Sequence, residues 1–458
     1  MRGPGDILLV STYELGHAPH GIAVPMAFLE RAGFAPAALD LSVDRLDAAR
    51  VRAARLVAIS VPMHTALRLG IEAARRIRAL SPGTVLVFHG IYAPLHAALL
   101  AREGASAVLG VECEAELVAI AEALERGEVV PGPHAPPLRP VGAFPRLDHP
   151  VPSRGALPAP GRYARLVTSG GEERIAGYAE TTRGCKHLCR HCPLPPLFGG
   201  RFVAIPAEVV LADVEQQVAA GVRHVTFGDP DFLNGPAHAL RIARAVHARH
   251  PDLTFDFTAK VEHLVTRPDA VRELAGLGAV FVTSAVESFS DEVLERLAKG
   301  HTRQDALRSF AVCEEAGLAL RPTFVPFTPW ETITGYLDLL DTLERGGWLA
   351  QVDPVQLSLR LLVPPGSLLE GDPSIPFGGY DEDGLGWRWR HPDVRMDTLQ
   401  RRVADEVAAA AEAHAPPAQT VERVRALALA AAGLAHRHVR VLAPDQRRVP
   451  RLTESWFC

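Results

Sequence analysis

The sequence predicts an α/β protein built from two parallel sheets: an N-terminal doubly wound, Rossmann-like domain and an open (βα)6 partial TIM barrel, followed by a C-terminal helical extension. Two stretches of the chain alternate short apolar runs, typical of buried strands, with helical apolar periods. The 458 residues suffice for two or three domains with full cores. The predicted ranges are 1–127 for the first domain, 128–176 for a linker, 177–365 for the barrel and 366–458 for the extension.

The N-terminal domain is predicted from apolar runs that alternate with amphipathic helices. Strands are predicted at 7–11, 37–41, 56–61, 85–88 and 107–109, and helices at 21–32, 66–80, 94–102 and 114–124. Strands joined by crossover helices form a parallel sheet, and its ligand crevice lies outside the carboxyl ends of the strands. The loops expected at that crevice are 12–20, 61–65, 89–92 and 110–114.

Ten prolines lie between Pro131 and Pro160, which predicts a stiff surface connector because proline fixes extended backbone and lacks an N–H donor. The barrel follows, with strands predicted at 177–182, 224–228, 254–258, 280–284, 320–325 and 354–360. Its helices are predicted at 207–220, 237–247, 269–277, 291–299, 303–316 and 335–343. Six such units are too few for a closed eight-stranded barrel. Beyond the barrel, helical runs at 397–414 and 421–436 form the extension.

Three of the six cysteines, Cys185, Cys189 and Cys192, have a Cys-x3-Cys-x2-Cys spacing just beyond a predicted strand. Three thiolates can hold three irons of a four-iron, four-sulfur cluster and leave the fourth iron open, whereas a ferredoxin normally supplies four ligands. The alternative is a structural zinc completed by His187 or His191. A zinc site usually takes its ligands from two separated pairs, and no second pair lies nearby in the sequence.

This spacing resembles the signature of the radical S-adenosylmethionine (SAM) superfamily. The resemblance implies a [4Fe–4S] cluster held by the three cysteines, with the open iron chelated by SAM. Reduction of the cluster then cleaves SAM to a 5'-deoxyadenosyl radical. It also implies a small-molecule substrate and an external electron donor of the flavodoxin or ferredoxin type. The zinc alternative implies a scaffold that binds partners without catalysis.

The N-terminal half resembles the cobalamin-binding domain that precedes many radical SAM cores. Gly110, Glu112 and Glu114 stand where such domains carry a Gly-Glu-x-Glu element, and the resemblance implies that they line the cofactor crevice. The Asp-x-His-x-x-Gly motif that supplies a cobalt ligand in many cobalamin enzymes is absent, since His17 and His20 have the wrong spacing. The alternative is a Rossmann-like domain that caps the barrel without a cofactor.

Five residues of the barrel are candidate SAM contacts by the same resemblance. Asp229 or Asp231 follows the second barrel strand, where an anion would accept the SAM ammonium; the alternative is a turn that caps the next helix. Glu287 ends the fourth strand and is the candidate for the ribose hydroxyls. Lys260 and Arg321 could pair with the SAM carboxylate, or could form ion pairs within the barrel.

Charge and composition narrow the partners. The formal net charge is −5 and no basic run is present, so we expect no nucleic-acid partner. Neither a secretory signal nor a transmembrane stretch is found, and we expect a cytoplasmic protein without a membrane partner. Only three of the 48 basic residues are lysine, namely Lys186, Lys260 and Lys299, and all three lie in the barrel range.

The C-terminal residues Trp-Phe-Cys458 resemble the end of the radical SAM family named for its CUAEP/CCAEP tail, in which selenocysteine or cysteine and then Ala-Glu-Pro follow. We therefore hypothesise a chain shortened at a selenocysteine codon; the alternative is a natural terminal cysteine. A thiol–selenol pair suits a soft atom such as arsenic. The favoured reaction is methyl or other alkyl transfer to an unreactive centre. The alternatives without cobalamin are aminocarboxypropyl transfer and 5'-deoxyadenosyl radical chemistry.

Overall fold

A computed structural model describes residues 1–130, 132, 144–435 and 449–454. Its first sheet is parallel, and the strands are almost entirely buried. Its strands are β1 Ile7–Ser11, β2 Ala37–Asp40, β3 Leu56–Ser60, β4 Val85–His89 and β5 Ala107–Val108. The helices between and after them are α1 His20–Arg31, α2 Ala48–Ala53, α3 His64–Leu80, α4 Tyr92–Leu95, α5 Ala97–Arg102 and α6 Glu114–Glu125. The strand order β2-β1-β3-β4-β5 is a doubly wound arrangement, as the sequence predicts.

Apolar residues on both faces of each strand explain why this sheet is covered on both sides. Leu8 and Val10 of β1 pack into one hydrophobic cluster with α3, whereas Ile7 and Leu9 pack into a second cluster with α1 and α6. All four side chains are buried. The buried polar side chains of the strands, Ser11, Asp40, Ser60 and His89, are therefore confined to the last residue of each strand.

The second sheet curls into an open half-barrel. Its strands, with the β8–β9 hairpin beside it, are β6 Arg165–Val167, β7 Glu173–Ala179, β8 Thr182–Gly184, β9 Phe202–Ala204, β10 His224–Phe227, β11 Thr254–Thr258, β12 Ala279–Glu287 and β13 Ala319–Phe324. The helices are α7 Pro195–Phe198, α8 Ala207–Ala219, α9 Pro236–Arg249, α10 Val261–Thr266, α11 Pro268–Gly276, α12 Asp291–Arg296, α13 Arg303–Glu315 and α14 Ile333–Arg345. Strands β7 and β10–β13 pair in parallel, and the predicted fold class is confirmed.

The sixth barrel strand expected from the sequence is replaced by a 3-10 turn at Pro354–Leu357. One parallel bridge, between Phe327 and Arg360, is all that remains of its pairing with the sheet. Pro354 has no N–H to donate to a strand ladder. The side chain of Gln356 instead accepts the backbone N–H of Phe324 at 3.1 Å, and so takes the place of a ladder hydrogen bond.

The range predicted as a linker contains β6 and the start of β7. These two strands form an antiparallel hairpin at the edge of the second sheet. Its turn depends on Gly171, whose φ of 83° suits glycine and whose N–H donates to the carbonyl of Thr168 at 2.9 Å. Part of the predicted linker therefore joins the barrel sheet instead of only connecting the domains.

The C-terminal extension consists of a hairpin, two helices and a short edge strand. They are β14 Phe377–Asp381, β15 Gly386–Trp389, α15 Val394–Glu412, α16 Pro417–Ala431 and β16 Arg451–Leu452, which pairs with β6. Arg425 of α16 forms ion pairs with Asp341 and Glu344 of α14, which fixes the helices against the barrel. Residue 436 and the tail with Cys458 lie outside the described residues. Across the described ranges, every helix is too short or too polar to cross a bilayer.

Candidate metal and cofactor site

The three cysteines lie in a loop directly after β8, beyond the carboxyl end of β7. Gly184 allows this turn: its φ is 79°, and a Cβ there would lie 2.3 Å from the ring of Phe198. Cys189 is buried, while Cys185 and Cys192 are partly buried beside an apolar cluster that includes Phe198. Burial raises the pKa of the Cys192 thiol to about 12, so a bound cation is needed to hold it as a thiolate.

The distances expected between the ligands of a zinc ion provide a test of the zinc alternative. Four tetrahedral ligands of zinc lie roughly 3 to 4 Å apart, given metal–ligand bonds of 2.0 to 2.3 Å. Among the described residues, the one group of three or more His, Cys, Asp or Glu ligand atoms within 4.8 Å of one another includes none of these cysteines. His187 and His191 turn instead to Asp231 and Glu287, at 3.6 and 3.1 Å. The donor set therefore fits a cluster better than a Cys3His zinc site.

Asp229 supports the segment that leads into the cysteine loop. Its carboxylate is buried and accepts the backbone N–H of Thr181 at 2.9 Å, the hydroxyl of Thr181 at 2.7 Å and the hydroxyl of Thr182 at 2.5 Å. Burial raises the pKa of Asp229 to about 6, although these three hydrogen bonds oppose the rise. All three hydrogen bonds found for this carboxylate come from Thr181 and Thr182, so Asp229 supports the segment before the cysteine loop.

Glu287 connects the other side of the loop to β12. It ends the strand at a register shift with a φ of 66°, a left-handed conformation that is uncommon outside glycine. One of its carboxylate oxygens accepts from the ammonium of Lys299 at 3.1 Å and lies 3.1 Å from Nε2 of His191. Although burial opposes ionisation, Lys299 and His191 hold the pKa of Glu287 well below its usual range.

Asp231 lies on the opposite side of the loop and is fully buried. Its Oδ2 atom is 2.7 Å from Nδ1 of His263 and 3.6 Å from Nε2 of His187. Burial, and then the charge of Lys260, lower the pKa of His187 to about 4. The ammonium of Lys260 lies 3.4 Å from Glu262 and is itself buried. Asp231 and Lys260 are thus both near Cys185, whose thiol they influence electrostatically.

Arg321 forms an ion pair within the barrel, which is the second of the two roles that the sequence allows. Its guanidinium donates to Asp353 at 2.6 Å, next to the turn that replaces the sixth strand. Both side chains are partly buried. This pair joins β13 to the following segment at the edge of the half-barrel.

The Gly110–Glu114 segment meets the cysteine loop through Arg183 of β8. The guanidinium donates to Glu114 at 2.6 Å and to Glu112 at 3.3 Å, and its Nε atom donates to Glu180 at 3.2 Å. Burial raises the pKa of Glu112, whose charge Arg183 offsets. The second oxygens of Glu112 and Glu114 have no hydrogen-bond partner among the described residues. The N-terminal domain therefore contacts the strand that precedes the three cysteines.

Polar atoms without partners also collect at the carboxyl edge of the first sheet. Ser11, Ser60 and His89 are the last residues of β1, β3 and β4, and His17 follows β1. Each is buried, and each has a side-chain atom without a hydrogen bond within the described part of the chain. Burial lowers the pKa of His17 and His89 to about 4, so both rings are neutral near pH 7. A polar ligand at this edge could satisfy these atoms.

Residues 179–340, from the end of β7 to α14, match the family model described as the radical SAM superfamily. This segment of the chain is therefore similar to that superfamily. The matched segment contains Cys185, Cys189 and Cys192. A radical SAM domain implies a [4Fe–4S] cluster and SAM, and such enzymes take their electron from an external donor. Three thiolates are the number that leaves one iron of such a cluster without a protein ligand.

Curated relatives match part of the chain at low identity. The ribosomal protein uS12 methylthiotransferases RimO of Paracoccus denitrificans and Rhodopseudomonas palustris are 27% and 30% identical over 231 and 189 residues, which are 46% and 38% of this chain. A tRNA-2-methylthio-N(6)-dimethylallyladenosine synthase of Fusobacterium nucleatum is 24% identical over 201 residues, or 40% of this chain. These matches span 47%, 42% and 43% of the relatives, less than half of each.

Solved structures share the fold over most of the chain. The radical SAM methyltransferase TsrM from Kitasatospora setae, with cobalamin and a [4Fe–4S] cluster bound, superposes with a TM-score of 0.60 at 21% identity, covering 74% of this chain and 73% of its own. The cobalamin-dependent SAM radical enzyme OxsB, with aqua-cobalamin and SAM bound, gives 0.67 at 14% identity, covering 88% and 66%. At these identities the likeness shows a common fold.

Four residues organise the site through contacts that the sequence did not predict. Lys299 and His191 hold Glu287, Arg183 holds the Gly-Glu-x-Glu element, and Asn234 accepts from the backbone N–H of Lys186 at 3.4 Å. Lys299 had a signal, because it is one of only three lysines. The other three depend on contacts between distant segments.

Proposed function

We propose that the protein is a cobalamin-dependent radical SAM transferase that moves a methyl or other alkyl group to an unreactive centre of a small molecule. One observation carries this proposal: Arg183 joins the segment before the cysteine loop to Glu112 and Glu114, so the candidate edges of the two domains meet. A cofactor at the first sheet would then face the cluster. TsrM and OxsB, which share the fold, are cobalamin proteins by description.

The cysteine loop would hold the [4Fe–4S] cluster through Cys185, Cys189 and Cys192. When bound, the cluster supplies the electron that cleaves SAM reductively. We propose Lys260 as a SAM contact, because it lies beside the loop at the carboxyl end of a barrel strand. Asp229, Glu287 and Arg321 would act as positioning residues, since their hydrogen bonds go to other residues of the chain.

The crevice of the first sheet would hold the corrinoid. We propose that Gly110, Glu112 and Glu114 line it, with the unpaired atoms of Ser60 and His89 as further contacts. Because the Asp-x-His-x-x-Gly motif is absent, we propose that the cobalt lacks the histidine ligand that this motif supplies. Cobalamin, when bound, supplies a carrier for the transferred group.

The nature of the substrate follows from charge. The relatives named above act by name on a ribosomal protein and on tRNA. This chain has a formal net charge of −5 and no basic run, which disfavours a nucleic acid. We therefore propose a small molecule, with methylthio transfer as the second candidate because several sequence relatives are methylthiotransferases.

Anaerobic reconstitution tests this function. We expect the wild-type protein to bind a [4Fe–4S] cluster and one cobalamin, and to cleave SAM when reduced. Cys189→Ala should lose the cluster and SAM cleavage, whereas Cys313→Ala, in a buried helix of the barrel, should retain both. Mass spectrometry with methyl-labelled or aminocarboxypropyl-labelled SAM then separates methyl, methylthio and aminocarboxypropyl transfer. A colourless protein with one zinc per chain at its cysteines would overturn the proposal.

A further inference from the structure

Three side chains from separate segments converge beside the cysteine loop. His187 lies in the loop, Asp231 follows β10, and His263 belongs to α10 after β11. Nδ1 of His263 is 2.7 Å from Oδ2 of Asp231, and Nε2 of His187 is 3.6 Å from the same oxygen. All three ligand atoms lie within 4.8 Å of one another. Consecutive parallel strands thus deliver three potential metal ligands to one point.

The converging atoms are buried and unsatisfied. Asp231 Oδ2, His263 Nδ1 and His187 Nε2 all lack a hydrogen-bond partner among the described residues. The side chains of Asp231 and His263 are 0% and 4% exposed, and that of His187 is 13% exposed. The 2.7 Å approach of His263 to Asp231 is short enough for a hydrogen bond but is not aligned for one. Two atoms that approach closely without alignment are typical of ligands that share a cation.

We propose that His187, Asp231 and His263 bind one divalent transition-metal ion, Zn²⁺ or Fe²⁺, separate from the cysteine cluster. Two imidazole nitrogens and one carboxylate oxygen suit these ions, whereas Mg²⁺ and Ca²⁺ prefer oxygen ligands alone. Ligand atoms of such an ion lie roughly 3 Å apart, which is close to the spacing found here. Three protein ligands leave coordination positions open for a substrate oxygen or nitrogen.

Neighbouring charges are arranged in a way that tolerates the cation. Oε2 of Glu262 lies 3.8 Å from Nδ1 of His187, the ring nitrogen that the proposed ion does not use. This distance is too long for a hydrogen bond, but the negative charge of the carboxylate favours a cation on the other ring nitrogen. Lys260 is the nearby positive charge, and the same Glu262 oxygen lies 3.4 Å from its ammonium. Glu262 therefore offsets the one charge that would repel the ion most.

Zinc is the best probe for this site. A nitrogen and oxygen site generally binds Zn²⁺ more tightly than Fe²⁺, and zinc is measured independently of the cluster iron. The holoenzyme, reconstituted with iron and sulfide, is incubated with Zn²⁺, desalted and assayed for both metals. We expect one zinc per chain, with only nitrogen and oxygen neighbours in its X-ray absorption spectrum. In His263→Gln the zinc affinity should fall at least about 100-fold, with iron content and SAM cleavage retained.

The matched control is His250→Gln, which removes a surface histidine paired with Glu215 at 2.9 Å and should leave zinc binding unchanged. Asp231→Asn provides a second ligand variant of nearly the same shape, and circular dichroism confirms folding of both. Three results would overturn the proposal: no zinc retained by the wild type, equal zinc in the wild type and both ligand variants, or sulfur in the zinc shell. If the wild type binds iron and cleaves SAM but retains no zinc, this site is refuted and the proposed function stands. If it binds zinc through nitrogen and oxygen but no iron, the proposed function is refuted and this site stands.

Discussion

The two histidines of the cysteine loop have opposite surroundings. His191 lies 3.1 Å from Glu287, and the same carboxylate oxygen accepts from buried Lys299 at 3.1 Å. His187, four residues earlier, faces Asp231 and His263, and none of the three facing atoms has a hydrogen bond within the described ranges. On the saturated flank, the atoms of His191 and Glu287 that face each other therefore have internal partners, whereas the facing atoms of the other flank have none.

This difference separates residues that hold the loop from residues that are free to hold a ligand. Buried polar groups in folded proteins nearly always have partners, so those without one in the chain are candidates to bind a ligand, an ion or an ordered water. Glu287 and Asp229 are saturated by the chain and fix where the cysteines lie. The same criterion selects Ser60 and His89 at the edge of the first sheet as ligand contacts.

The largest effect is expected from breaking the saturated flank. Glu287→Gln leaves the ammonium of Lys299 buried without its charge partner, and removing one member of a buried pair typically costs about 3 to 5 kcal/mol. We expect a much lower midpoint of thermal unfolding and poorer retention of iron after reconstitution. Differential scanning fluorimetry and iron analysis measure the two effects.

A surface pair provides the control for Glu287. Glu273→Gln removes the partner of Arg244, which lies at 2.5 Å on an exposed helix face, and should leave the unfolding midpoint unchanged because exposed pairs contribute little. If Glu287→Gln unfolds at the wild-type temperature, the Glu287–Lys299 pair does not hold the loop and the contrast between the flanks is lost.

A smaller, pH-dependent effect is expected at Asp229. Its pKa is about 6 in the folded protein and near 3.8 when unfolded, mainly because of burial. Such an acid stabilises the fold while it is protonated, so its contribution falls as the pH rises from about 4 to about 6, by on the order of 3 kcal/mol. Asp229→Asn cannot ionise and should lack this part of the pH dependence.

Cluster-free protein is the right sample for this measurement, since acid loss of iron then plays no part. We expect the unfolding midpoint of the wild type to fall relative to that of Asp229→Asn between pH 4 and pH 6. Parallel pH profiles would mean that the carboxylate is solvated or fully compensated by Thr181 and Thr182.

The same contrast explains which features of the fold and the site could be predicted from the sequence. Strand β1 was predicted at its observed bounds and the cysteine loop at its place after a strand, because apolar periodicity and ligand spacing are local features. The prediction of the sixth strand was wrong. Pro354 lacks an N–H for a strand ladder, and the side chain of Gln356 accepts the backbone N–H of Phe324 in place of a ladder hydrogen bond. The His187–Asp231–His263 group was missed because three strand ends bring it together, and no spacing within one segment records it.

The smallest effect tests one hydrogen bond of the support under the loop. Thr182→Val keeps the side-chain shape but removes the hydroxyl that donates to Asp229 at 2.5 Å, while both donors of Thr181 remain. We expect a loss of about 1 kcal/mol, the usual net contribution of a buried hydrogen bond, seen as a small fall in the urea midpoint. Thr334→Val, at an exposed hydroxyl near the start of α14, is the matched control and should change nothing. Because Asp229 loses one of the three hydrogen bonds that favour its charged form, its folded pKa should rise further in Thr182→Val. A stability loss that grows with pH therefore distinguishes this hydrogen bond from simple packing.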